Sequence, residues 1–297
     1  MQKNAAVKGS SYRFSEKLSP YFATLFGIRI CCPPDEAVFD VLYPVSTEFH
    51  FVKGLPPSAA IGKQPRQTTW PFVANGPTSR SIHFELGNCS IWGLAMYPLG
   101  WAKFMDVPAR TVTDRFFDGS HTPPFQQFRP IQEIVEAEGR TSDEIAEWIS
   151  DFLLEQLDEP PAQEKQILAC QNALRDPDIA TVMQLVERVD MSARSLERLC
   201  SRYFGFPPKF LLRRQRFLRS IGRFMLDSGQ SWSEVLDPQY FDQAQFVREF
   251  RSFMDLTPRE YADMEHPIMN LVLNQRLTDL GATQHPVSSA TRMVRCN

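Results

Sequence analysis

Two textures of apolar spacing divide the chain. From about Tyr21 to Phe117, short apolar runs are broken by Pro and Gly: AVFDVLYPV (37–45), TEFHFVKG (47–54), RSIHFEL (80–86) and IWGLAMYP (91–98). In TEFHFV, Phe49 and Phe51 alternate with polar neighbours, the period of a half-buried strand. The turn signals PP, NGP and GN punctuate the runs. The spacing predicts a mainly antiparallel β domain, a barrel or sandwich, over residues 20–130, after a loose polar stretch at 1–19. WAKFMDVP (101–108) reads as a short helix stopped by Pro108.

From Ile131 onward the apolar positions recur at helical spacing. TSDEIAEWISDFLLEQL (141–157) opens with a capping box from Thr141 to Glu144. It puts Ile145, Trp148, Ile149, Phe152, Leu153 and Leu157 on one face. That stripe can pack on the chain's own β domain or pair with the same helix of a second copy. DEPP (158–161) ends it, and AQEKQILACQNALRD (162–176) forms the next helix, so 131–176 reads as a helical linker. Further helices are predicted at about 178–189, 192–204, 207–226, 231–236, 242–254 and 258–264. Beyond His266, IMNLVLNQRL allows one short helix in a flexible, polar tail at 265–297.

One pattern occurs twice. SARSLERLCSRYFGFPPKFL (192–211) and DQAQFVREFRSFMDLTPREYA (242–262) each start at a helix-capping residue, Ser192 or Asp242. Each has an apolar residue four positions on, Leu196 or Phe246, and others one turn later. Each closes on a small turn, a proline and an aromatic: Pro208 and Phe210, or Pro258 and Tyr261. TVMQLVERV precedes the first copy and SWSEVL the second. A short helix, a tight turn and an amphipathic second helix make the helix-turn-helix pattern. The all-α region 177–264 thus holds two such units, joined by the long basic helix 207–226.

Charge strengthens this reading once it is resolved along the chain. The formal net charge is −3, which taken alone argues against a nucleic-acid binder. Between Arg194 and Arg223, however, nine basic residues face one acid, Glu197, whereas 129–165 holds eleven acids and three basic residues. Binding fields are local, so the asymmetry outweighs the sum.

The stretch resembles the DNA-binding domain of AraC/XylS-type transcriptional regulators. The resemblance rests on Ser192-x-x-Ser-Leu196-x-Arg198, Gly205-x-x-Pro208, Arg216, YFDQAQFVREFRSFMDLTPREY (240–261), and Trp232 in the short helix before it. A recognition helix offers polar side chains from its first turns to base edges while its other face packs inward. That register places Leu196, Leu199, Cys200 and Tyr203 inward in the first unit, and Phe246, Phe250 and Phe253 inward in the second. The outward residues Arg194, Glu197, Arg198, Gln243, Gln245 and Arg248 are the family's base-contacting positions by resemblance. Arg202, Lys209, Arg213, Arg214 and Arg251 are candidates for phosphate contacts, which set register without reading sequence. A solvated basic face is the plain alternative for Arg213, Arg214, Arg219 and Arg223, and ion pairing inside the domain is the alternative for Arg216 and Arg248. The family usually has a glycine in the turn before the second recognition helix. Here Leu236-Asp237-Pro238-Gln239-Tyr240 has none, although Asp-Pro can turn without positive φ.

Segment 90–119 resembles the end of the effector domain in one branch of these regulators, whose fold is cupin-like. The resemblance implies a bacterial, cytoplasmic transcription regulator that binds double-stranded operator DNA. A small-molecule effector, RNA polymerase and a second copy of the chain are its further expected partners. Phe49, Phe51, Trp70, Phe72, Phe84, Trp92, Tyr97 and Trp101 either line an apolar pocket or form plain core, and no effector-binding residue is singled out. His50, His83 and His121 are too isolated to suggest a metal site. No phosphate loop, nucleophile elbow or paired carboxylates mark catalysis, and no cofactor is implied. The six cysteines, Cys31, Cys32, Cys89, Cys170, Cys200 and Cys296, lack metal-ligand spacing and read as free thiols of a reducing cytosol. MQKNAAVKGSS lacks a signal-peptide core, and no run of apolar residues is long enough to span a membrane. Two other readings stay open: a helix-turn-helix pair used as a protein-interaction module, and an enzymatic β-barrel with an appended regulatory domain.

Overall fold

The computed structural model describes residues 5–226 and 231–271. Strands β1 (Ala6–Tyr12), β2 (Phe22–Cys31), β9 (Cys89–Met96), β4 (Thr47–Gly54), β7 (Phe72–Asn75) and β10 (Phe116–Asp118) lie side by side in that order in one antiparallel sheet. Strands β3 (Val38–Leu42), β8 (Ile82–Leu86), β5 (Ser58–Ile61) and β6 (Gln67–Thr68) form a second. The β domain is therefore two packed sheets. The N-terminal stretch expected to be loose is partly ordered, because Ala6–Tyr12 adds an edge strand to β2. Edge pairing is a backbone interaction and needs no apolar pattern, so the polar sequence concealed it.

Strand β4 departs from the half-buried expectation, since both of its faces are covered. Phe49 and Phe51, fully buried, pack outward onto helices, with the Phe49 ring 4.7 Å from that of Phe128. The covering helices are α2 (Arg129–Glu136) and α3 (Ser142–Glu155), preceded by α1 (Pro98–Phe104), which starts three residues before the expected Trp101. The stripe of α3 is thus used within the chain. Ile145, Ile149 and Leu153 are buried, each contributing about 1.5–3 kcal/mol. The Thr141–Glu144 capping box is present.

The remaining helices are α4 (Glu164–Arg175), α5 (Val182–Val189), α6 (Ala193–Leu199), α7 (Pro208–Leu226), α8 (Trp232–Val235), α9 (Gln243–Met254) and α10 (Pro258–Ala262). The segment read as one linker therefore divides: α2 and α3 complete the β domain, while α4 packs under the first helix-turn-helix unit. The two units also sit in different cores. Ile167, Leu185, Leu196, Leu199 and Leu211 close the first. Phe246, Phe250 and Phe253 of the second join a core continuous with Ile28, Val41 and Ile82 between the sheets. Helix α7 spans both, with Leu211 and Leu212 in one core and Phe217, Leu218 and Ile221 in the other.

Polar contacts reinforce this seam. Ser81 N–H donates to the Phe253 carbonyl (2.7 Å) and Ser81 Oγ to that of Met254 (2.9 Å). Arg80 donates to the Ser252 carbonyl and lies 3.5 Å from Asp255. Residues 266–271, read as part of a flexible tail, pack here too, with Ile268 and Met269 buried. The rest of that tail and of its expected helix lies outside the described residues, as does Cys296. No described helix is long and apolar enough to cross a membrane.

Candidate nucleic-acid interface

In the first unit, α5 begins at a capping box between Thr181 and Gln184 and ends at Asp190, whose φ of 52° puts it in the left-handed region. Aspartate tolerates that region better than most residues and can close the turn. Ser192 then caps α6 by accepting from Ser195 N–H at 3.2 Å. Leu196, Leu199 and Cys200 point inward, and Cys200 Sγ lies 3.7 Å from Cys170 Sγ. The Cys170 contact and burial hold the Cys200 thiol well above its ordinary pKa. Arg194, Glu197 and Arg198 are exposed on the opposite face.

The helix does not stop at Leu199. It widens into a π-helical turn over Cys200–Phe204 and ends at Gly205. Tyr203, expected inward, is half-buried and donates to Gln163 Oε1 (3.0 Å), with the Arg202 guanidinium 5.5 Å from its ring centre. Gly205 is required twice over. Its φ is 83°, and a Cβ there would meet the Pro77 side chain at 2.9 Å, where the first unit abuts the β domain.

In the second unit, Ser231 and Glu234 form a capping box at α8. The glycine-less turn that follows contains no positive φ. It is organised by Asp237, which is 1% exposed. Asp237 Oδ2 accepts from Arg219 Nε (2.5 Å) and Oδ1 from Gln239 N–H (3.0 Å), while its own N–H donates to Ser220 Oγ (2.9 Å). Asp242 then caps α9, accepting from Gln245 N–H (2.6 Å). Phe246, Phe250 and Phe253 are buried as the register required, and Gln243 and Arg248 are exposed. Gln245 is half-buried, and its Oε1 accepts from Phe241 N–H (2.9 Å), so its amide helps to close the turn.

Of the expected phosphate contacts, Arg202, Lys209 and Arg251 are exposed. Arg213 is 40% exposed and bonded to Glu249 Oε1 (3.0 Å). Arg214 is a correction: it is buried in the seam with the β domain, where Nη1 donates to the Val45 carbonyl (3.2 Å). Burial lowers its pKa to about 10, although Asp114 opposes the shift. A side chain so enclosed is not presented to a phosphate. The helical period placed it outside because the sequence carried no sign that the β domain would cover that face.

Sequence reasoning also missed Glu249. Buried on α9, it binds Arg213, Arg216 (2.5 Å) and the Tyr240 hydroxyl (2.9 Å). Burial and the nearby Glu249 charge push the Tyr240 phenol up. An acid between Phe246 and Phe250 on the inner face was the available signal. Arg216 thus serves the domain interior, while Arg248, the other arginine weighed for that role, is exposed. The three histidines occupy separate places: His50 faces the space between the sheets, His83 contacts Ser81 Oγ (3.1 Å), and exposed His121 contacts Asp118 (2.8 Å).

Residues 185–264 match the family model described as a helix-turn-helix domain. No curated protein matches the chain. Among solved structures, ToxT from Vibrio cholerae with an unsaturated fatty acid bound aligns at 11% identity and a TM-score of 0.44, over 88% of this chain and 95% of that one. ToxT bound to (E)-4-(8-methylnaphthalen-1-yl)but-3-enoic acid aligns at 9% identity and 0.45, over 87% and 98%. The AraC-like transcriptional activator CuxR aligns at 14% and 0.30, over 72% and 86%. At these identities no residue role carries across.

Proposed function

We propose that the chain is a DNA-binding regulator in which α6 and α9 read bases while the β domain receives a small-molecule effector; residues 185–264, which match the helix-turn-helix family model, support the reading. The observation that carries the reading is the two-faced build of α6. Its apolar face is locked into a core, its start is capped, and Arg194, Glu197 and Arg198 project from its free face. Arg can bridge guanine O6 and N7, and Glu can accept from cytosine N4. Gln243 and Arg248 are the matching readers on α9, where Gln245 has its acceptor engaged in the turn.

Arg202, Lys209 and Arg251, with half-exposed Arg213, neutralise phosphates in this scheme, and each should add about 0.9 to the salt dependence of binding. Both units enter successive major grooves on one face of the duplex, roughly 34 Å apart. RNA polymerase and a second copy of the chain are the remaining partners. In this reading the β domain serves as sensor, because its contacts run directly into the second unit. Selection of bound fragments from genomic DNA tests the reading. Recovery of a recurring motif with two half-sites one helical turn apart supports it, and recovery of fragments with no shared sequence contradicts it.

A further inference from the structure

The last turn of a helix leaves four backbone carbonyls without partners inside the helix. In α9 they belong to Arg251, Ser252, Phe253 and Met254. The first is met from within the second unit, where Asp255 N–H donates to the Arg251 carbonyl at 3.1 Å. The other three are met from the β domain, by two consecutive residues just before β8. Arg80 Nη1 donates to the Ser252 carbonyl, Ser81 N–H to that of Phe253 (2.7 Å) and Ser81 Oγ to that of Met254 (2.9 Å). Arg80 also brings a positive charge to the negative end of the helix dipole.

These donors are themselves held. Ser81 is fully buried, its carbonyl accepts from Gly62 N–H (2.8 Å) at the end of β5, and His83 Nε2 lies 3.1 Å from its hydroxyl. The single hydroxyl proton goes to Met254, so the imidazole is the donor in that contact. Arg80 stands 3.5 Å from Asp255 Oδ1. Asp255 turns the chain out of α9 at a φ of 56°, a conformation that disfavours any residue with a Cβ. Helix α6 closes differently. It widens over Cys200–Phe204 and stops at Gly205, which adopts its φ of 83° freely.

We propose that Arg80 and Ser81 are positioning residues for base reading by α9: the β domain supplies the C-cap of that helix and thereby fixes its aim. The effect on DNA rests on the regulator reading above; the cap does not. The turn around Asp237 holds the start of α9, and Arg80 and Ser81 hold its end. Its 12 residues span about 18 Å. A tilt of about 10° that carries the end by about 3 Å carries Arg248, midway along, by about 1.3 Å. A hydrogen bond tolerates a change of about 0.5 Å. Loss of the cap is therefore enough to misplace a base contact made several residues away.

The test uses the full chain, Arg80→Met, Arg80→Lys, and the double variant Arg80→Met with Ser81→Ala. Amide hydrogen exchange reads the cap. In the double variant, exchange at Phe253, Met254 and Asp255 should speed about tenfold, while Leu199 and Cys200 in α6 keep the parent rates. Fluorescence anisotropy reads the aim, on a selected operator and on two duplexes that each have one half-site scrambled, the half-sites being assigned with Arg198→Ala and Arg248→Ala. Discrimination against the scrambled α9 half-site should fall about fivefold, and that against the α6 half-site should stay at the parent value. Arg80→Met alone alters a side chain that is 43% exposed, so it carries the test if the double variant does not fold, with an expected loss of about threefold. Arg80→Lys keeps a donor and a charge and should restore most of that loss. Unchanged exchange at 253–255 overturns the cap. Equal losses at both half-sites, or none at the α9 half-site, overturn the positioning role, since a residue that only held the fold together would weaken both alike. A parent chain without preference for operator over scrambled duplex contradicts the regulator reading, and exchange in the last turn of α9 then decides the cap on its own.

Discussion

Arg219 Nε lies 2.5 Å from Asp237 Oδ2, and the two side chains are 2% and 1% exposed. This buried pair joins the middle of α7 to the glycine-less turn that leads into α9. Removing one member of a buried pair leaves the other charge uncompensated, at a cost of about 3–5 kcal/mol. Arg219→Met should therefore lower the unfolding free energy by that amount in urea titrations. It should weaken contacts made by α9 more than those made by α6. A loss below about 1 kcal/mol would show that the turn stands without the pair.

Arg214, five residues earlier on the same helix, should behave in the opposite way. It has no ion-pair partner among the described residues, and burial penalises its charge. Replacement of a buried charge by an apolar side chain of similar volume is often neutral or stabilising. Arg214→Met should leave the melting temperature unchanged or raised, and should leave the salt dependence of DNA binding unaltered. Lys209→Ala, by contrast, should lower the slope of log affinity against log salt by about 0.9. A reduced slope in Arg214→Met would restore Arg214 as a phosphate contact.

These contrasts show what the sequence could and could not disclose. Helix positions, caps and inward faces follow from short-range periodicity, so Ser192, Leu196, Asp242, Phe246 and Phe250 lie where that periodicity put them. Arg214, Asp40 and Glu249 depend on which distant surface covers them. Asp40 meets residues more than 220 positions away, and no local pattern records such a contact. The strand at Ala6–Tyr12 was hidden for a related reason, because a partner strand supplies its order.

Phe241 is 94% exposed beside the Asp242 cap of α9. An aromatic ring so placed can cover a thymine methyl in the major groove. Phe241→Ser should weaken operator binding about fourfold, the value of one buried methyl-sized group. Replacing the facing thymine by uracil should cost the parent protein a similar factor and cost the variant nothing further. Equal sensitivity of both proteins to the uracil substitution would exclude the contact.

The seam between the β domain and α9 should also respond to pH. Burial holds the His83 imidazole below its ordinary value of 6.5, outweighing the Met254 backbone contact and the Asp255 charge. The folded chain therefore binds a proton less readily than the unfolded chain. Stability should fall as pH drops below about 6.5 toward the folded value, and be unaffected by this group above it. His83→Gln removes that part of the dependence. Urea midpoints of parent and variant, compared at pH 7 and pH 5, should differ more in the variant's favour at the lower pH. A difference that is constant, or that moves toward the parent, would contradict the assignment.

The most direct test of the proposed function lies at Arg198, on the free face of α6, the helix proposed to read bases. Affinities of the parent chain and Arg198→Ala are measured by fluorescence anisotropy, at one fixed salt concentration, on a selected operator and on a scrambled duplex of equal length. Loss of a bidentate base contact costs about 1–3 kcal/mol of discrimination. The operator affinity should therefore fall about 5- to 150-fold while binding to the scrambled duplex changes little, and preference at one base pair should relax. An equal loss on both duplexes would contradict the account, because Arg198 would then be binding phosphate and α6 would not be reading the sequence through it.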